Sequence, residues 1–141
     1  MIITESVIIH APVKKVWDVF VTFTCWADWN KVLMEVTSRS SCLTAGEVFS
    51  CCIRPYFIPV DFSAQVISVE QEKKIVWTAS RFGISSVHEF LFEERPEGTE
   101  MTSRETFAGL PVALGAGFFF REKVRKLTLS FLEDLRAAAG A

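Results

Sequence analysis

The side chains of this 141-residue chain best suited to chemistry are two histidines, four cysteines and a few arginines, and their settings separate them. His88 stands in His88-Glu89-Phe90-Leu91-Phe92, and Glu105 stands in Arg104-Glu105-Thr106-Phe107. Both runs alternate in the manner of half-buried strands. The turns between such strands fix their register. If residues 95–98 form a four-residue loop, Glu94 pairs with Thr99 and His88 falls opposite Glu105. If Phe82 and Gly83 form a two-residue hairpin, Arg81 pairs with Ile84 and Trp77 falls opposite His88. Together these registers predict one cross-strand row of Trp77, His88 and Glu105. Phe90 and Phe92 share the face of His88, while Met101 and Phe107 share that of Glu105. Apart from the pair itself that face is apolar, so it is expected to be the concave one. Glu89, Glu93, Thr102 and Arg104 on the opposite face suit solvent.

A histidine and a carboxylate in an apolar cavity can do acid–base work. Glu105 would orient and charge His88, and His88 would move a proton to or from a ligand carbonyl or hydroxyl. The same two groups can instead form a mutually satisfied polar contact that fixes the sheet or anchors a ligand oxygen. Arg81 lies at a strand end, where it can meet a ligand carboxylate or simply face water. Arg104 is a weaker candidate, and His10, just before Ala11-Pro12, reads as an exposed turn residue. No metal is expected, because neither histidine has a carboxylate cluster beside it in sequence. Cys25, Cys42, Cys51 and Cys52 lack Cys-x-x-Cys spacing and read as reduced thiols, which suggests a cytoplasmic setting. No cofactor is expected either: there is no Gly-x-Gly-x-x-Gly, phosphate loop or Gly-x-Ser-x-Gly motif.

The elements that must position these groups can be read in order. Residues 2–10 are rich in β-branched side chains and predict a strand. Pro12 suits a helix start, and Val13, Val16, Trp17, Phe20 and Phe23 make an apolar stripe opposite Lys14, Lys15 and Asp18. Trp26 and Trp29, three apart, predict a second short helix. From there the period changes to alternation. Residues 32–41, 47–54, 60–69, 74–81, 85–94 and 99–107 read as six consecutive antiparallel strands. Residues 109–117 read as a loop. Phe120, Val124, Leu127, Phe131 and Leu135 then predict a terminal amphipathic helix of about twenty residues.

Composition narrows the partners. A balance of 15 Lys and Arg against 17 Asp and Glu gives no electrostatic footprint for nucleic acid. The cluster Arg121, Lys123, Arg125 and Lys126 reads as a solvated helix face. Residues 106–120 are free of charge but contain Pro111 and fall short of the ~20 apolar residues that cross a bilayer. No spanning segment is therefore expected, and no signal peptide either, since the apolar start contains Glu5 and lacks a basic leader. Thirteen phenylalanines are more than a core of this size requires, which leaves two readings: some line a cavity or a contact surface, or together they fill a Phe-rich solid core. Phe118, Phe119 and Phe120 cannot all face inward, because helical neighbours diverge by ~100°. At least one is left for a pocket mouth, a partner or a transient membrane contact. With Gly115 and Gly117 beside them, they form either a gate or ordinary packing.

The spacing Ile9-x-Ala11-Pro12-x-x-x-Val16-Trp17-x-x-Phe20-x-x-Phe23-x-x-Trp26-x-x-Trp29-Asn30 resembles the opening of the START-like superfamily, also called SRPBCC or Bet v 1-like. Val76-Trp77, His88-Glu89-Phe90-x-Phe92, Gly98-Thr99 and Glu105-x-Phe107-x-Gly109 extend the resemblance along the chain, most closely to the polyketide cyclase/dehydrase and lipid-transport branch. The resemblance implies an α+β helix-grip fold: one domain over residues 1–141, with a curved seven-stranded antiparallel sheet wrapped around a long C-terminal helix and two short helices after strand 1. It also implies a cavity for an aromatic, polyketide-like or lipid-like small molecule; the strand registers and the Phe-rich segment make Trp77, Arg81, Phe90, Phe92, Met101, Phe107, Phe118 and Phe119 its expected lining. Three activities remain open: a hydrophobic-ligand carrier, a cyclase or dehydratase using His88 and Glu105, and a chaperone-activating or other interaction module. Ligand identity and oligomeric state are not legible.

Overall fold

The computed structural model describes residues 1–140. The β-branched opening forms β1 (Ile2–Ile9), and β2 (Met34–Ser38), β3 (Val48–Ile53), β4 (Val60–Glu70), β5 (Lys74–Arg81), β6 (Ile84–Arg95) and β7 (Gly98–Ala108) follow as a meander. All seven join one antiparallel sheet in the order β1-β7-β6-β5-β4-β3-β2. This is the helix-grip architecture that the resemblance implied. Between β1 and β2 lie α1 (Val13–Val21), a 3-10 turn (Phe23–Cys25) and α2 (Trp26–Trp29). After β7 come α3 (Leu110–Ala113) and the long α4 (Gly117–Gly140).

Both predicted hairpin registers hold. Arg81 pairs with Ile84 and Trp77 with His88, while Glu94 pairs with Thr99 and His88 with Glu105. The β6–β7 connection is tighter than the four-residue loop expected, because Arg95 pairs with Gly98 and only Pro96 and Glu97 remain unpaired. Gly98 has φ +143, and a Cβ there would collide with the Ile9 carbonyl oxygen, so β7 can start hard against the end of β1 only with glycine. Two expectations need correction. The strand predicted over 32–41 shortens to Met34–Ser38: the Asn30 side chain holds Val32 and Leu33 in a turn before it, and within it Glu35 takes a positive φ of 54 beside a shift in register to β3. The loop predicted over 109–117 contains a helical turn, α3, whose second residue is Pro111, a position that suits proline.

The concave face is filled unevenly. From α1, Val16, Trp17 and Phe20 are buried against the sheet. The Trp17 ring meets Phe92 at 4.9 Å, and Phe20 lies 4.8 Å from Phe90 and 5.5 Å from Phe92. Trp26 donates its indole N–H to the Phe20 carbonyl at 2.7 Å, which locks α2 onto α1. Asn30 is buried, and its side-chain oxygen accepts from the backbone N–H of Val32 and of Leu33 at 2.9 and 2.7 Å. That bracket turns Val32 and Leu33 back toward α4. One half of the concave face is therefore solid. The half nearer the β5–β6 turn is not.

Candidate functional site

The open half holds a chamber of about 140 Å³ between the sheet and α4. Trp77, Phe90, Phe107 and Phe131 contribute aromatic walls, with Leu33, Val124 and Leu127 closing it from the loop and helix side. The polar side chains it presents are Ser86, His88, Ser103, Glu105 and Thr128. A wider vestibule of about 250 Å³ adjoins it through Phe62, Glu105, Phe107 and Val124 and opens between Tyr56, Arg81, Phe82, Phe120 and Lys123. A room of the chamber's size holds about one small aromatic ring.

His88 and Glu105 are brought together as the register requires, with His88 Nδ1 3.7 Å from Glu105 Oε2 and both side chains largely buried. The other ring nitrogen, Nε2, lies 2.6 Å from Ser103 Oγ. The imidazole stacks on Phe90 with centroids 4.1 Å apart and has the Trp77 ring edge-on at 5.5 Å. Loss of water disfavours the charged form of both groups. Burial pulls His88 down to about 3, so the ring is neutral at ordinary pH. Burial pushes Glu105 up to about 7, partly opposed by a hydrogen bond from Ser86. The expectation that Glu105 charges His88 is therefore not met. At 3.7 Å there is no direct hydrogen bond, and neither group is given enough stabilisation to ionise fully in its place. Of the two groups, Glu105 is the one that burial brings near neutrality.

The imidazole can adapt to either state of that carboxyl. With Glu105 ionised, Nδ1–H faces it and Nε2 accepts from the Ser103 hydroxyl. With Glu105 protonated, the tautomer can reverse and Nε2–H donates to Ser103.

The other expected site residues divide between cavity and surroundings. Trp77, Phe90 and Phe107 line the chamber, and Arg81 lines the vestibule with its guanidinium 4.6 Å from the Phe82 ring centre. Phe92 and Met101 do not line it: both are buried in the solid half of the core. Phe118 and Phe119 stand exposed beside the mouth, while Phe120 turns inward to meet Phe107 at 5.4 Å. Arg104 is on the outer face, 3.5 Å from Glu89. His10 is exposed and bonded to the Glu97 carbonyl oxygen.

Ser86 and Ser103 were missed by sequence reasoning. Each lies two residues before His88 or Glu105 on the same face, so strict alternation contained the signal. Among the described residues, Glu35, Cys52 and Asp61 also gather one potential ligand atom each within 4.8 Å, on the outer face. They come from three strands, so sequence spacing could not show them. Burial, with Asp61 beside it, holds the Cys52 thiol above its usual range.

Among the described residues no helix is long and apolar enough to cross a membrane. Comparison with solved structures places the fold firmly. The di-domain ARO/CYC BexL of the BE-7585A biosynthetic pathway superposes with a TM-score of 0.81 at 21% identity, over 100% of this chain and 50% of that one. The di-domain ARO/CYC StfQ of the steffimycin pathway gives 0.81 at 14% identity, over 98% and 50%. TTHA0849 from Thermus thermophilus gives 0.81 at 13% identity, over 97% and 95%. This chain thus spans half the length of the two di-domain proteins. No curated protein matches it in sequence. The family model described as polyketide cyclase / dehydrase and lipid transport matches residues 1–140, and the chain belongs to that family.

Proposed function

We propose that this protein binds a hydrophobic, ring-bearing small molecule in the chamber between sheet and α4, with a ligand oxygen meeting Glu105 and His88. The observation that carries this reading is an aromatic-walled chamber whose polar groups converge at one place. The family and the two ARO/CYC neighbours support a ligand of polyketide or lipid character. An unfilled chamber also favours binding over a module that acts only through its surface. Native mass spectrometry of freshly purified protein tests it. A co-purifying apolar molecule, displaced by an added phenol, is the expected result; a chamber that accepts neither would reject the reading.

A second reading is supported by one specific feature, the elevation of Glu105 to about 7. A carboxyl tuned there suits a general acid or base for cyclisation or dehydration, which need proton transfer at a carbonyl or hydroxyl. Arg81, in the vestibule, would steer an anionic end of such a substrate. Glu105→Gln should then abolish turnover of a poly-β-ketone probe while leaving its binding intact. A pH–rate profile with no inflection near neutrality would remove the carboxyl from the mechanism.

A further inference from the structure

The strand ends that carry the cavity mouth also carry the protein's exposed apolar residues. Among the described residues, the seven most exposed large apolar side chains all sit at this one end of the sheet. Phe57 and Ile58 occupy the β3–β4 loop and Phe82 the β5–β6 turn, while Leu110 opens α3 and Leu114 follows it. Phe118 and Phe119 begin α4. The pieces adjoin one another. Tyr56 donates its hydroxyl to the Phe119 carbonyl at 3.2 Å, and Pro111 packs beside Gly83.

Two further observations indicate that these side chains are displayed for a purpose outside the fold. Phe57 is 93% exposed at φ 67, and Phe82 is 74% exposed at φ 54. A bulky aromatic in the left-handed region is strained; Phe57, almost wholly in water, gains no packing in return, and Phe82 has the Arg81 guanidinium over its ring. The charges are sorted as well. Across residues 53–60, 81–84 and 106–123 the charged side chains are Arg54, Arg81, Arg121 and Lys123 against one carboxylate, Glu122, which is paired with Arg125. At the opposite end, Glu93, Glu94, Glu97 and Glu100 crowd the β6–β7 connection around a single Arg95.

We infer that the mouth end is a docking face for an anionic lipid surface. Apolar tips on separate loops insert into the boundary between headgroups and acyl chains, which needs no matching rigid surface. The arginines between them meet lipid phosphates, and the acidic end is turned away. The vestibule opens within this face, so an apolar ligand can pass between bilayer and chamber without crossing water.

Flotation of the full chain with phosphatidylcholine vesicles, with and without phosphatidylglycerol, tests the inference. Binding to the anionic vesicles is expected, weakened about fivefold by Arg121→Ala and by about tenfold or more by Phe118→Ser/Phe119→Ser. If near-ultraviolet circular dichroism shows the double variant disturbed, Phe57→Ser makes the same comparison from another loop. No binding to anionic vesicles, or binding untouched by the phenylalanine substitutions, would overturn it. So would a dimer that depends on Phe118 and Phe119 in protein that ignores vesicles, which would assign the face to a second copy. Glu105→Gln should bind vesicles as the unaltered chain does, so the docking face and the chamber chemistry can fail separately.

Discussion

Glu105 is the residue on which the proposed proton transfer would turn, and its environment makes a measurable statement about stability. Its carboxyl rises from an ordinary 4.5 to about 7 in the folded protein. The native state then holds a proton that the unfolded chain has already released, so this residue's contribution to stability falls as pH rises across that window and is level above it. Glu105→Gln removes the penalty. The variant is expected to match the parent near pH 4 and to exceed it by on the order of 3 kcal/mol near pH 8. Urea unfolding at both values measures it, and a gain independent of pH would show that the carboxyl ionises freely when folded. His88 shifts the opposite way, costing stability as pH falls from 6.5 toward about 3, but it is common to both proteins and cancels in the comparison. The row of Trp77, His88 and Glu105 was legible because two short turns fixed the register. The protonation of the pair was not, since it depends on how completely α4 and the aromatic walls exclude water.

At the scale of elements, the division of the concave face decides where ligand can go. Helix α1 sends Phe20, fully buried, into the rings of Trp26, Trp77, Phe90, Phe92 and Phe131. Phe20→Ala should cost about 3–5 kcal/mol of stability, read from denaturant midpoints. Phe131 of α4 belongs to both halves, because it touches Phe20 at 6.0 Å and lines the chamber. Phe131→Ala should therefore lose stability of similar size and also admit a bulkier ring than the parent accepts, which a displacement series of one-, two- and three-ring phenols would reveal. Sequence periodicity located α1 and α4 because their apolar stripes are regular. It missed α3, because glycines and prolines around four helical residues read as a loop. It also could not separate Phe92 and Met101 from the true chamber walls. They share the face of His88 and Glu105, and only the placement of α1 above them makes that end solid.

The whole molecule is a container with two unlike ends. The sheet and α4 form the vessel, α1 and α2 plug one half, and the mouth lies among Tyr56, Arg81, Phe82 and Phe120. The container was legible in the chain, because the spacing of its first thirty residues and the order of its strands resemble the START-like pattern, and that resemblance implies the helix-grip fold. The chamber was not, because empty space is a property of residues that fail to meet. Calorimetric titration with phenol and with benzene tests the central claim most directly, since the two differ only by the hydroxyl that Glu105 and His88 would receive. One bound molecule per chain is expected, with an advantage of about five- to tenfold for phenol, the worth of one hydrogen bond, that disappears in Glu105→Leu. Failure of both rings to bind, or equal binding of the two, would contradict it.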